Sequence, residues 1–168
     1  MSSPKGGVGR SCLAAHLALA LSRLGRRVLV IDLDPRNGLA DLLLPGAELS
    51  PGIGAALQGD ALVEPTLVAT SVYFAPYGLT VAPPAASAAL EPETVDQLIS
   101  TLTRRSGADI VVIDAESARE AAVPLKPHDA EVCVFLPDAG SMAALRMSGL
   151  ATALLSRSGS QTRFGVLN

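Results

Sequence analysis

Leucines at positions 13, 17, 21 and 24, with alanines between them, recur at the spacing of one helical face and predict a helix that Gly25 ends. Arg26 and Arg27 follow, and then Val28-Leu29-Val30-Ile31 runs into Asp32. That run is apolar throughout and mostly β-branched, which suits a strand buried on both faces. Ile110-Val111-Val112-Ile113-Asp114 repeats the design, and Val132-Cys133-Val134-Phe135-Leu136-Pro137 is a strand of the same type. Between Pro45 and Pro92 prolines and glycines break the chain into short pieces. These read as a short helix around Ile53-Gly54-Ala55-Ala56-Leu57-Gln58-Gly59, loops, and a brief strand near Leu79-Thr80-Val81. A helix from about residue 93 to 104 follows. An Ala/Leu/Met-rich helix covers about 141 to 156, with Leu145, Leu150 and Leu154 available for one face, and Phe164-Gly165-Val166-Leu167-Asn168 reads as a last strand.

Buried strands alternating with helices predict an α/β fold, a mostly parallel sheet with helices on both faces. Residues 1–168 form a single domain, long enough for a real core. Aromatic content is only 3%, so that core is built from small branched side chains, as a helix-covered parallel sheet requires.

The chemistry lies ahead of the first helix, in Ser3-Pro4-Lys5-Gly6-Gly7-Val8-Gly9-Arg10-Ser11. This is nearly the phosphate-binding pattern G-x-x-x-x-G-K-[ST], with Pro4 in place of the first glycine and Arg10 in place of the lysine. Three glycines let successive N–H groups converge on one anion, and the helix behind aims its positive dipole end at the same point. Ser11 supplies a hydroxyl where a nucleotide-bound Mg²⁺ takes an oxygen ligand. The apolar runs at 28–31 and 110–113 each end in a carboxylate, and the first continues as Asp32-Leu33-Asp34-Pro35-Arg36. Carboxylates just beyond the carboxyl ends of parallel strands lie in the crevice where open α/β sheets bind ligands.

Lys5-Gly6-Gly7-Val8-Gly9 resembles the deviant Walker A motif of the ParA/MinD family of dimerising P-loop ATPases, and Asp32-Leu33-Asp34-Pro35-Arg36 resembles that family's D-x-D-P-Q signature. The resemblance runs from Pro4 to Asn168 and implies ATP and Mg²⁺ as cofactors and a nucleotide-dependent homodimer. It gives Lys5 a catalytic role in trans, on the partner subunit's nucleotide, and Asp34 a catalytic role in orienting the attacking water. Lys5, Gly6, Gly7, Val8, Gly9, Arg10, Ser11 and Cys12 would hold the nucleotide, with Asn168 reading the adenine edge. Cys12 stands where the family often has a second hydroxyl, and a thiol is the poorer donor. Ser11, Asp34 and Asp114 would serve the metal, Asp114 as the Walker B carboxylate. The family has an apolar strand before the loop, where this chain has Met1-Ser2-Ser3, and further elements after the position of Asn168. The domain is therefore expected to be incomplete at both ends. Ala115-Glu116-Ser117 departs from the family's Asp-x-Pro and sets a carboxylate near a polyanion site. Arginine at position 10 exchanges a compact ammonium for a planar fork, so binding can outlast catalysis.

Tyr73-Phe74-Ala75-Pro76-Tyr77-Gly78 has two readings of equal weight. It is an aromatic turn packing on the sheet edge, or a marker of the BcsQ branch, the ParA-like proteins of bacterial cellulose synthesis, whose L-x-P-[FY]-G segment it resembles. The second implies a partner in a membrane-associated cellulose synthase complex. Two other classes stand beside it: a non-hydrolysing pseudo-ATPase that serves as an interaction module, and a DNA-partition or cell-division positioning ATPase.

Net charge is −3 and the basic residues are scattered, so no nucleic-acid surface is expected. The pairs Arg26-Arg27 and Arg104-Arg105 fall at helix ends, where cations stabilise the C-terminal dipole. Two distant cysteines give no disulfide framework and point to the cytoplasm. His16 and His128 lack metal-ligand company and read as structural or solvated. No signal peptide or membrane-length apolar run is expected, so any attachment at the inner membrane would be peripheral, through a partner.

Overall fold

A computed structural model describes residues 9–47, 51–59, 62–78 and 92–115, and the backbone of 130–135 and 162–167. Lys5, Gly6, Gly7, Val8 and Asn168 lie outside these residues, as do the strand expected near 79–81, Glu116, and the helix expected at 141–156.

Helix α1 (Arg10–Arg23) leads into β1 (Val28–Asp32), followed by α2 (Gly38–Leu43), α3 (Ile53–Leu57), β2 (Thr66–Ala69) and β3 (Val72–Ala75). Then come α4 (Pro92–Ser106), β4 (Ile110–Asp114), β5 (Ala130–Phe135) and β6 (Thr162–Leu167). Four strands form one sheet in the order β2-β3-β1-β4. In it β1 runs parallel to both neighbours, pairing Val30 with Phe74 on one side and Asp32 with Asp114 on the other. The hairpin β2–β3 adds one antiparallel edge, with an irregular register between Leu67 and Ala69. The strands β5 and β6 pair in parallel as a separate two-stranded sheet.

Every residue of β1 is buried, as its unbroken apolar run predicts. Because side chains alternate across a strand, β1 serves two cores. Val28 and Val30 pack with Ala14, Ala15 and Ala18 of α1 and with Leu39 and Ala40 of α2. Leu29 and Ile31 pack on the opposite face with Ile53 of α3 and Leu102 of α4. Helices cover both faces of the sheet, as the sequence predicts.

The face of α1 turned to the sheet is not the leucine stripe. Ala14 and Ala18 are fully buried, Leu13, Leu17 and Leu21 are half-buried, and Leu24 is 77% exposed. Small residues let the helix axis approach the strands closely, and the leucines pack along its flanks. Gly25 does end the helix, at φ 79°. Its N–H donates to the Ser22 carbonyl while Arg26 N–H donates to that of Leu21, the paired closure of a Schellman motif.

Tyr73-Phe74-Ala75 is neither a turn nor a sheet edge. It belongs to β3, between β2 and β1, and Phe74 is fully buried. Tyr77 beyond the strand is 6% exposed, so both aromatic readings must accommodate a segment that is part of the core. Among the described residues no helix is long and apolar enough to cross a membrane.

Candidate functional site

Gly9 caps α1 from the left-handed region, at φ 84° and ψ 16°. It turns the chain so that Arg10 and Ser11 open the helix, pointing at the carboxyl ends of β1 and β4. Asp32 and Asp114 are register partners there, and Leu33 N–H donates to the Asp114 carbonyl, continuing the pairing one residue beyond β1. The sequence thus brings Arg10, Ser11, Asp34 and Asp114 to one point from three separate segments.

Arg10 is the centre of the cluster. Its Nε donates to Asp114 Oδ1 at 2.5 Å and its Nη2 to Asp34 Oδ2 at 2.7 Å. The three side chains are at most a tenth exposed, so these ion pairs lie out of water, where a guanidinium fork suits carboxylates best. Ser11 Oγ donates to the other Asp114 oxygen at 2.6 Å. Arg36 approaches Asp34 Oδ1 at 3.3 Å from the solvent side, and its backbone N–H donates to the same oxygen. Two buried carboxylates therefore face one buried and one exposed guanidinium.

Asp32 was not singled out by the sequence, yet it is the most perturbed group in the site. Its Oδ1 accepts from Asp34 N–H at 2.9 Å, while the fully buried Oδ2 has no hydrogen-bond partner among the described residues. Burial pushes its pKa from 3.8 up to about 7, and the carboxylates of Asp114 and Asp34 add to the rise against the pull of the Asp34 amide. The raised pKa limits the negative charge crowded behind Arg10.

Asn37 was missed as well. It sits in the left-handed region at φ 54°, a conformation asparagine tolerates better than most residues. From there its Oδ1 accepts from Gly78 N–H at 2.9 Å and its Nδ2 donates to Gly78 O at 3.1 Å. This clasp ties the Asp34 loop to the chain beyond β3, and the signal for it was the Asn-Gly pair that precedes α2.

Serine and two carboxylates are the donor chemistry of a Mg²⁺ site. Their arrangement does not fit that ion, because the guanidinium of Arg10 takes an oxygen of each carboxylate. Arg36 balances the remaining charge on Asp34. A dication placed among these oxygens would meet two guanidinium groups already paired with them.

The other sequence candidates are quickly placed. Cys12 is exposed, with its Sγ 3.5 Å from His16 Nδ1, and that nitrogen lies 2.8 Å from the Cys12 carbonyl oxygen. His16 is thus a local helix contact. Arg104 and Arg105 lie in the last turn of α4, and Arg105 pairs with Glu64. Arg27 donates to Gly107 O, and its backbone N–H to Asp109, so the cationic pairs serve local structure.

Comparison with known proteins shows the family and the fold. Residues 1–159 match the model of the CobQ/CobB/MinD/ParA nucleotide binding domain. The chain is 31% identical over 115 residues to the chromosome-partitioning ATPase Soj of Thermus thermophilus, covering 68% of this chain and 44% of that protein. It is 26% identical over 150 residues to an uncharacterised ATP-binding protein of Methanocaldococcus jannaschii, covering 84% of this chain and 53% of that one. The chain thus spans about half the length of these curated relatives. Among solved structures, the MinD cell division protein of Aquifex aeolicus superimposes with a TM-score of 0.72 at 21% identity, covering 99% of this chain and 67% of that one. Cobyrinic acid a,c-diamide synthase of Mycobacterium smegmatis, solved with an ATP analogue and magnesium, gives 0.71 at 19% identity, over 99% and 72% of the two chains. The fold is that of a MinD/ParA-like P-loop NTPase.

Proposed function

The chain belongs to the CobQ/CobB/MinD/ParA nucleotide-binding family, and from that premise we propose that it is an ATP-binding switch acting as a nucleotide-linked homodimer. The observation that carries this reading is the convergence of Arg10 and Ser11, at the start of α1, on the carboxylates at the ends of β1 and β4. The backbone amides of Gly6 to Ser11 hold the phosphates, supported by the N-terminal dipole of α1. Lys5 reaches the nucleotide of the second subunit, and Asn168 reads the adenine edge.

Thermal melting with and without ATP tests it, since a ligand that binds only the folded state raises the midpoint. The midpoint is expected to rise with ATP concentration, and Lys5→Ala or Ser11→Ala to remove the rise. Sedimentation with and without ATP reads the dimer. A midpoint indifferent to ATP at millimolar concentration would reject the switch.

The engagement of Asp34 by two arginines favours a second reading, a binding module without turnover. Asp34 is the residue expected to orient water, and here its oxygens are committed to guanidinium groups. Turnover gained on Arg10→Lys marks a weakened enzyme, and none marks the module.

For the process served, the segment from Tyr73 to Gly78 supports the BcsQ branch and a cellulose synthase assembly as partner. Co-purification with the membrane-bound synthase, dependent on ATP, is the expected result. Salt-sensitive binding to nonspecific DNA would point instead to the partition class.

A further inference from the structure

We propose that Arg10 is the resident cation of this site, standing where a divalent metal would sit, so that the site takes a metal-free phosphate anion. The second half of this statement rests on the proposed nucleotide function, and the first does not.

Three observations carry it. The guanidinium spends two N–H groups on Asp34 and Asp114, and the Arg10 side chain is 10% exposed, so it is built into the cluster. Its charge and that of Arg36 are set against Asp34 and Asp114, which lowers the electrostatic demand for a dication at those two carboxylates. A guanidinium has five N–H donors in a rigid plane, and the other three have no acceptor among the described residues. Arg10 opens the helix directly behind the glycine loop, where those donors can meet a phosphate while the carboxylates stay held. Lysine at this position, with one compact ammonium, could not bridge both carboxylates and still offer a planar edge to an anion. Ser11 gives its hydroxyl to the other Asp114 oxygen, so both oxygens of that carboxylate are engaged without metal.

The test has two arms on the full chain. In the first, Mn²⁺ alone is titrated and followed by its electron paramagnetic resonance signal, without nucleotide. The wild type is expected to show no saturable site, while Arg10→Ala opens one that the further change Asp114→Asn abolishes. Arg10→Lys keeps a buried cation should the alanine variant fail to fold, and is expected to show a saturable Mn²⁺ site where the wild type shows none. A saturable wild-type Mn²⁺ site that depends on Asp114 overturns the proposal, as does a folded Arg10→Lys protein with no gain. In the second arm, ATP affinity is compared in excess Mg²⁺ and in EDTA. The wild type is expected to change by no more than about twofold and Arg10→Lys to lose about tenfold in EDTA. A wild-type loss of that size overturns the metal-free site. No ATP binding in either medium rejects the nucleotide function and the metal-free phosphate site with it, while the Mn²⁺ arm still decides whether Arg10 replaces the metal.

Discussion

Asn37 grips both backbone groups of Gly78 with one side-chain amide, its Oδ1 accepting at 2.9 Å and its Nδ2 donating at 3.1 Å. The same residue holds the left-handed turn between Asp34 and α2, where Asn37 N–H donates to the Asp34 carbonyl. Asn37→Ala loses the two bonds to Gly78 and the one from Nδ2 to the Pro35 carbonyl, and puts alanine at positive φ. We expect a loss of about 2–3 kcal/mol in urea unfolding. Asn37→Gly keeps the left-handed backbone and loses only the three side-chain bonds, so its loss is expected to be smaller, about 1–2 kcal/mol. Equal losses would mean that backbone conformation contributes nothing.

The Asp114 carboxylate takes Arg10 on one oxygen and Ser11 on the other while fully buried. Asp114→Ala leaves a buried guanidinium with Asp34 as its one carboxylate, and breaking such a pair costs about 3–5 kcal/mol. Ser11→Ala removes one donor to the same carboxylate and is expected to cost less, about 1.5–3 kcal/mol. Unfolding curves that rank the two the other way would show that the ion pair is not the stabilising contact.

What was legible followed from burial on both faces. The runs 28–32 and 110–114 announce β1 and β4 because every position is apolar until the closing aspartate, and α3 and α4 appear within two residues of their expected ends. The hairpin β2–β3 was not legible. Its strands have four residues each, the outer one is exposed at Thr66 and Leu67, and the connection Thr70-Ser71 has no glycine or asparagine to mark a hairpin turn. At the site the structure brings together Arg10, Ser11, Asp34 and Asp114, all of which lie in the motifs. Their pairing was hidden because a cation in a phosphate loop suggests phosphate, whereas its partners lie 24 and 104 residues away. Asp32 was hidden because its state depends on burial rather than on residue type.

The alanine face of α1 yields a contrast between two positions that the leucine stripe would rank the other way. Ala18 is fully buried against the sheet and Leu24 is 77% exposed. Ala18→Leu is expected to destabilise by about 1–3 kcal/mol through overpacking, and Leu24→Ala to stay within about 0.5 kcal/mol of wild type. Calorimetric midpoints of the two variants check this, and a larger loss at Leu24 would restore the leucine stripe as the packing face.

Asp32 gives stability an unusual dependence on pH. Its carboxyl has a pKa near 7 in the folded chain against 3.8 ordinarily, so between those values folding takes up a proton. The contribution of Asp32 is therefore greatest below about pH 4, falls as pH rises to about 7, and is level above, where the buried group is ionised. Asp32→Asn retains the oxygen that accepts from Asp34 N–H and removes the titration. The stability of the variant relative to wild type should climb through this window, by no more than about 1.4 kcal/mol per pH unit, and favour the variant above pH 7. Urea unfolding of both proteins at intervals from pH 4 to 8 reads the effect, because titrating groups that do not interact with Asp32 cancel in the difference. A difference that stays flat across that range would mean that Asp32 is ionised in the folded chain throughout, with a counter-charge on its Oδ2.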